Sequence, residues 1–231
     1  MTQHYVVTGT SRGIGLELTR ALLAEGHSVS AIARNPEKSA GLSELKKQYV
    51  DRLRTFTADV TRDDDVKRVA QELTESGAID VLINCAGTFL DYHDDFLSID
   101  FKKILQSLET NTLGPMRVTR ALLPLLQKSK RAKVVHITSL MGSIGDNTGG
   151  GSYAYRMSKA ALNMFMKSFS VDFPSLITLV VHPGWVKTDM GGSQAPVLPR
   201  DSARGILNVI QRAEREQSGK FFDFEGDELP W

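Results

Sequence analysis

The 231-residue chain is expected to fold as an α/β domain. It should carry a doubly wound, mainly parallel seven-stranded sheet with helices on both faces. Three observations point there. Short apolar runs alternate with longer amphipathic stretches, which is the pattern of repeated βαβ units. The length suits one such domain, here 1–231. A glycine-rich turn joins the first apolar run to the first amphipathic one.

The strands are read at Tyr5–Thr8, Ser28–Ala33, Arg54–Thr57, Val81–Asn84, Lys133–Thr138, Leu176–Val181 and Lys220–Phe222. They are rich in Val, Ile and Phe and end at Gly, Asp or Asn. Helices are read at Ile14–Glu25, Asp64–Ser76, Phe101–Gln127, Ala154–Asp172 and Ser202–Glu216. In the first, Ile14, Leu18, Ala21 and Leu22 share a face. Asp63-Asp64-Asp65 places acids where a helix N-terminus favours them, rather than forming a cation site. Gly114-Pro115 predicts a bend inside the long fourth stretch. Gly149-Gly150-Gly151 is expected to be a mobile loop, and Gly191–Pro199 a loop or short lid. Asp223–Trp231, with aromatic ends, is expected to rest on a partner subunit.

The formal net charge is +1, with 41% hydrophobic and 24% charged residues. That balance gives no basic patch for nucleic acid and no membrane-binding face. No apolar run approaches the ~20 residues a membrane helix needs. The opening MTQHYVVTGT has no basic stretch followed by an apolar one. A cytoplasmic location is therefore expected. Cys85 is the single cysteine, so no intramolecular disulfide forms, and a buried, inert thiol is expected there. His4, His27, His93, His136 and His182 do not cluster at metal-ligand spacing, so they are read as packing residues and no metal is expected. Met157, Met164 and Met166 are read as a packing face.

Chemistry enters at Thr8-Gly9-Thr10-Ser11-Arg12-Gly13-Ile14-Gly15, between the first strand and first helix. Glycines there let backbone N–H groups approach a pyrophosphate at the positive helix end. Tyr155 and Lys159 lie four apart in a helical stretch and share a face. A phenol titrates near ~10, so lowering it by ~3 units takes ~4 kcal/mol. An ammonium at ~4 Å supplies about that at an effective dielectric of ~20. Tyr153 has Met157 four residues on and lacks such a partner. Ser139 ends the fifth strand at the sheet edge where open α/β folds bind ligands, and its hydroxyl suits a substrate carbonyl. Thr138 and Ser143 are the neighbouring alternatives.

These motifs resemble the short-chain dehydrogenase/reductase family in its compact, Rossmann-like form. The resemblance runs through TGTSRGIG, Asp59-Val60, Asn84-Cys85-Ala86-Gly87, Asn111, Ser139, Tyr155-Arg156-Met157-Ser158-Lys159 and Pro183-Gly184 with Thr188. PGWVKTDMGG and GSYAYRMSKAALNM are similar to a subgroup containing insect carbonyl reductases and a myxobacterial signalling protein. The resemblance implies a nicotinamide-dependent oxidoreductase acting on a small carbonyl or alcohol. Tyr155 is then the acid/base, Ser139 polarises the carbonyl, and Lys159 holds the nicotinamide ribose. Asn111 bends its helix and keeps a water against Lys159. Gly9, Ser11, Arg12, Gly13, Ile14 and Gly15 cradle the pyrophosphate. Asp59 and Val60 meet the adenine; Asn84, Ala86 and Gly87 line the cofactor path. Pro183, Gly184, Val186 and Thr188 seat the nicotinamide. A homodimer or homotetramer built through Phe101–Gln127 and Ala154–Asp172 is implied. The family's second Asn is replaced by Cys85.

The second strand ends Ala31-Ile32-Ala33-Arg34-Asn35, without the carboxylate that grips the ribose of NAD. Arg34 and Arg12 instead suit a 2′-phosphate through charge-assisted bonds. NADP(H) is therefore expected over NAD(H). The alternative reading is a cofactor-binding regulator on the same fold, since fold alone does not fix function. The complete set Asn111, Ser139, Tyr155 and Lys159 favours catalysis.

Overall fold

The computed structural model describes residues 2–92 and 94–231. The reading of His93 lies outside the described residues. Seven strands form one sheet: β1 (His4–Thr8), β2 (Ser28–Ala33), β3 (Leu53–Thr57), β4 (Val81–Asn84), β5 (Lys133–Ile137), β6 (Ile177–His182) and β7 (Lys220–Asp223). Their order is β3-β2-β1-β4-β5-β6-β7. Every neighbouring pair is parallel, with Tyr5 set between Val29 and Val81. The chain reverses direction across the sheet between β1 and β4, and such a switch point opens a crevice at the carboxyl ends of the strands.

Among the described residues, seven α-helices cover the sheet: α1 (Gly13–Ala24), α2 (Ala40–Gln48), α3 (Asp63–Leu73), α4 (Phe101–Leu108), α5 (Gly114–Leu126), α6 (Tyr153–Asp172) and α7 (Pro199–Arg212). Strand side chains alternate between two cores because the pleat has period two. Tyr5 and Val7 face α1, α2 and α7 through Leu18, Leu22, Leu45 and Ile206. Val6 faces the opposite layer through Val69, Leu122 and Leu126. Fully burying one such aliphatic side chain contributes ~1.5–3 kcal/mol.

Strand positions agree with the sequence reading to within a residue at each end. Helix α2 is absent from that reading. Its short, charged sequence hides two core anchors, Leu42 and Leu45, and Ser39 caps it by accepting from the Leu42 N–H at 3.2 Å. The last helix starts at Pro199 rather than Ser202, because proline suits the first helical turn. It also ends at Arg212 rather than Glu216. The long fourth stretch divides as expected, but the distortion begins earlier. A π turn over Glu109–Leu113 separates α4 from α5. Pro115 has no N–H to give the Asn111 carbonyl four residues back, so the ladder widens there.

In the glycine loop the Gly150 N–H donates to Asn147 Oδ1 at 3.1 Å and Arg156 Nε donates to the Gly150 carbonyl at 3.0 Å. In the C-terminal segment the Trp231 carbonyl oxygen accepts from the Ile144 and Gly145 N–H groups at 3.0 and 2.8 Å. One expectation is corrected: the methionine face is divided, Met166 being buried while Met157 and Met164 are exposed.

Candidate functional site

The crevice is a cleft of about 1180 Å³ along the carboxyl edge of β1, β2, β4 and β5. Its floor is the turn from β1 to α1. Gly9 has φ +74°, and a Cβ there would lie 2.7 Å from Ala86 Cα. A Cβ at Gly15 would lie 2.3 Å from the Gly9 carbonyl oxygen, and one at Gly13 (φ +58°) would sit 3.3 Å from Thr188. Only glycine permits this turn to close so tightly. Ser11 and Ile14 also face the cleft. No side chain caps α1, so its leading N–H groups remain open to an anion.

Around the rim, Arg34, Asp59 and Val60 form one wall. Asp59 Oδ1 accepts from the Thr61 N–H at 2.9 Å and its hydroxyl at 2.7 Å. Burial pushes this carboxyl up, but the Thr61 bonds and the nearby Arg34 and Arg62 hold it below its ordinary value. Arg12 lies across the mouth, paired with Asp189 at 2.7 Å, both largely exposed. Ala86 and Gly87 line the opposite wall. The Cys85 and Ala86 N–H groups both donate to Thr8 Oγ1, at 3.0 and 3.1 Å. Cys85 is half-buried and lines the cleft rather than being buried as expected; burial of its thiol pushes it up to about 12, with Lys159 pulling it down.

Not every sequence-selected residue reaches the wall. Pro183 and Thr188 do. Gly184 packs under the Phe224 ring, where a Cβ would come within 2.8 Å, and Val186 is buried and paired with Val197. Asn84 is buried behind the cleft, its amide donating to Thr119 Oγ1 at 3.1 Å and meeting His136 at 3.2 Å. It braces β4 against α5 and β5 rather than lining the cleft.

Tyr155 and Lys159 line the end of the cleft, Ser139 reaches it through a hydrogen bond with Tyr155, and Asn111 lies behind it, bonded to Ser158. Tyr155 and Lys159 rise from α6, with Lys159 Nζ 5.7 Å from the Tyr155 ring centroid. Lys159 donates to the Ile137 carbonyl at 2.9 Å. Ser139 follows β5, where Met141 N–H donates to its Oγ at 3.1 Å. Its neighbours are otherwise engaged: Thr138 donates to Asn163 Oδ1 at 2.7 Å, and Ser143 to the Trp231 carbonyl at 3.1 Å. Asn111, in the π turn, exchanges two bonds with the Thr88 backbone, at 2.8 and 2.9 Å, and donates to Ser158 Oγ at 2.9 Å.

Burial pushes the Tyr155 phenol up to about 12, against the pull of its Ser139 hydrogen bond. Burial pushes Lys159 down to about 8. The expected lowering of the phenol by the ammonium does not emerge: burial dominates, and the Ser139 hydrogen bond is the pull that opposes it. Near neutrality Tyr155 holds its proton and Lys159 is mainly charged.

Sequence reasoning missed Phe89, stacked on Tyr155 with centroids 4.2 Å apart, and Asp91, whose carboxylate meets α6. Both sit in an irregular segment whose spacing carries no motif. It also missed Asp189. Among the described residues, no group of three or more His, Cys, Asp or Glu is placed to hold a metal. Among the same residues, no helix is long and apolar enough to cross a membrane.

A family model described as short chain dehydrogenase matches residues 3–197. The C-signal of Myxococcus xanthus is 48% identical over 158 residues, covering 68% of this chain and 95% of that protein. The carbonyl reductase Sniffer of D. melanogaster superposes with a TM-score of 0.94 at 34% identity, covering 100% of both chains. The NADPH-bound carbonyl reductase from chicken fatty liver gives 0.91 at 32% identity, covering 100% of this chain and 99% of that one.

Proposed function

The chain belongs to the short-chain dehydrogenase family, and we propose that within it this protein is an NADP(H)-dependent carbonyl reductase or alcohol dehydrogenase with Tyr155 as its acid/base. The observation that carries the reading is Tyr155 at the end of a glycine-floored cleft, beside Lys159 and hydrogen-bonded with Ser139. The cleft fits a dinucleotide: its tight glycine turn and the uncapped α1 present backbone donors where a pyrophosphate would lie.

When bound, the nicotinamide supplies the hydride that reaches the carbonyl carbon. The chain's own residues do the rest. Ser139 donates to the substrate oxygen and offsets its developing charge. Tyr155, protonated near neutrality, gives its phenolic proton to that oxygen. The Lys159 ammonium then stabilises the phenolate left behind. Asn111 ties the π turn to Thr88 and Ser158, so the floor beneath Lys159 stays fixed. Arg34, beside Asp59 on the rim, is the cation for a 2′-phosphate, and Arg12 lies across from it in exchange with Asp189. This supports NADP(H) over NAD(H), as does the NADPH-bound chicken structure.

A homodimer or homotetramer is part of the same reading. Phe101 and Leu105 on α4 are 73% and 67% exposed, and Met164 on α6 is 67% exposed. Such a face is expected to be covered by a second copy. Light scattering reads the mass directly.

The deciding experiment follows NADPH and NADH oxidation against a panel of aldehydes, ketones and quinones. Tyr155→Phe should cut turnover by ~10²–10⁴-fold while NADPH binding is retained, and NADPH should outperform NADH. Unchanged turnover in the variant overturns the assignment of Tyr155. The 48% identity to C-signal favours a second reading, a cofactor-binding regulator. Tight NADPH binding without turnover across the panel would support it.

A further inference from the structure

Helix α6 begins without the usual local cap. Ser152 at its N-cap is left-handed, at φ +46° and ψ +47°, and makes no side-chain cap bond. It follows Gly150 and Gly151, also at positive φ. An N-cap residue normally holds extended backbone, from which its own oxygen accepts the second or third N–H of the helix. The left-handed entry removes that option, and those donors are the N–H groups of Ala154 and Tyr155.

A residue from elsewhere in the chain replaces the cap. Asp91 Oδ2 accepts from the Ala154 N–H at 2.7 Å and Oδ1 from the Tyr155 N–H at 3.2 Å. The side chain is fully buried. A buried carboxylate is costly unless its oxygens are satisfied, so this geometry is sharply defined. The segment carrying it is tied at its other end by the Asn111 amide on Thr88. Between these anchors Phe89 stacks on the Tyr155 ring, 4.2 Å between centroids and 18° between planes.

We propose that Asp91 is a positioning residue: from the loop after β4 it fixes the first turn of α6, and so holds the Tyr155 ring against Phe89 with its phenol in the cleft. What Tyr155 does there rests on the oxidoreductase reading; the contact does not. Asp91 touches no substrate and acts through the tyrosine. Misplacing a reacting group by ~1 Å costs up to ~10²-fold in rate.

The test compares Asp91→Ala and Asp91→Asn with Asp100→Ala. Asp100 caps α4 by accepting from the Lys102 N–H at 2.9 Å and serves as the purely structural control. Asp91→Ala should lower kcat by ~10–100-fold, with KM and NADPH affinity within about twofold. Asp91→Asn, which keeps one acceptor oxygen, should recover part of the loss. An independent readout is the ring resonance of Tyr155 in protein carrying ¹³C-tyrosine, assigned by comparison with Tyr155→Phe. Stacking on Phe89 shifts it upfield, and Asp91→Ala should abolish that shift while Asp100→Ala leaves it and kcat alone. Wild-type kcat and shift in folded Asp91→Ala overturn the proposal, as does an equal fall in Asp100→Ala. If Asp91→Ala fails to fold, Asp91→Asn decides by the same two readouts. If wild-type protein reduces no carbonyl, the oxidoreductase reading fails, and the Tyr155 resonance alone judges Asp91.

Discussion

Tyr155 and Lys159 are pulled in opposite directions by the same burial, the phenol up to about 12 and the ammonium down to about 8. Both shifts disfavour charge, because a low-dielectric site penalises each ionised form. The pH dependence of reduction follows from their order. Tyr155 keeps its proton throughout the usable range and contributes no fall. Lys159 loses its charge as pH rises through about 8, and with it the support for the phenolate. Since kcat/KM reports groups of the free enzyme, it should be flat below that point and decline above it. Steady-state carbonyl reduction measured between about pH 6 and 10 checks this. A decline placed instead near ~10.4, the ordinary lysine value, would mean that Lys159 is solvated in the working enzyme.

Where two elements meet, a single glycine sets their spacing. Gly142, in the turn after β5 that begins at Ser139, faces α6 so closely that a Cβ would lie 2.8 Å from Lys159 Cβ and 2.9 Å from its backbone carbonyl carbon. Neither contact is a flexible tip, so the turn carrying Ser139 must move away from the helix carrying Tyr155 and Lys159. Gly142→Ala should cost ~1–3 kcal/mol in stability and depress kcat. Gly145→Ala is the matched comparison: its Cβ would meet the Trp231 carbonyl at an ordinary 3.4 Å. Urea unfolding and turnover of both variants decide, and equal behaviour would sink the idea. Elements also differ in how far the sequence discloses them. The glycine turn and the Tyr155–Lys159 pair are local patterns, so spacing alone places them. Helix α2 escaped because Gly41, set against the tip of the Leu16 side chain, interrupts its pattern. The Asp91 cap escaped because it joins residues 63 and 64 positions apart, and nothing in the loop after β4 announces its partner.

Burial holds His136 and His182 neutral in the sheet, and holds His4 and His27 below their ordinary value as well, which bears on the acid limit of the molecule. His136, on inner strand β5, is fully buried between Asn84 and the edge of Phe165, and burial pushes it down to about 3 from 6.5. His182, at the end of β6, is pushed down to about 4 by burial, with Asp223 and Asp146 pulling the other way. Among the described residues, neither His136 Nε2 nor His182 Nδ1 has a hydrogen-bond partner. In the unfolded chain both titrate near ~6.5. Below that value the unfolded state binds protons that the native state refuses, so stability falls with pH. Their contribution is fully present above ~6.5 and is lost progressively toward pH ~4, with a limiting slope of ~2.7 kcal/mol per pH unit for two protons. Carboxylates such as Asp59, held below 3.8, add their loss only at still lower pH. Unfolding by urea across this window should show at least this slope, to which His4 and His27 add, and His136→Gln should remove one proton's share, ~1.4 kcal/mol per pH unit. A slope unchanged in that variant would assign the acid sensitivity to other groups.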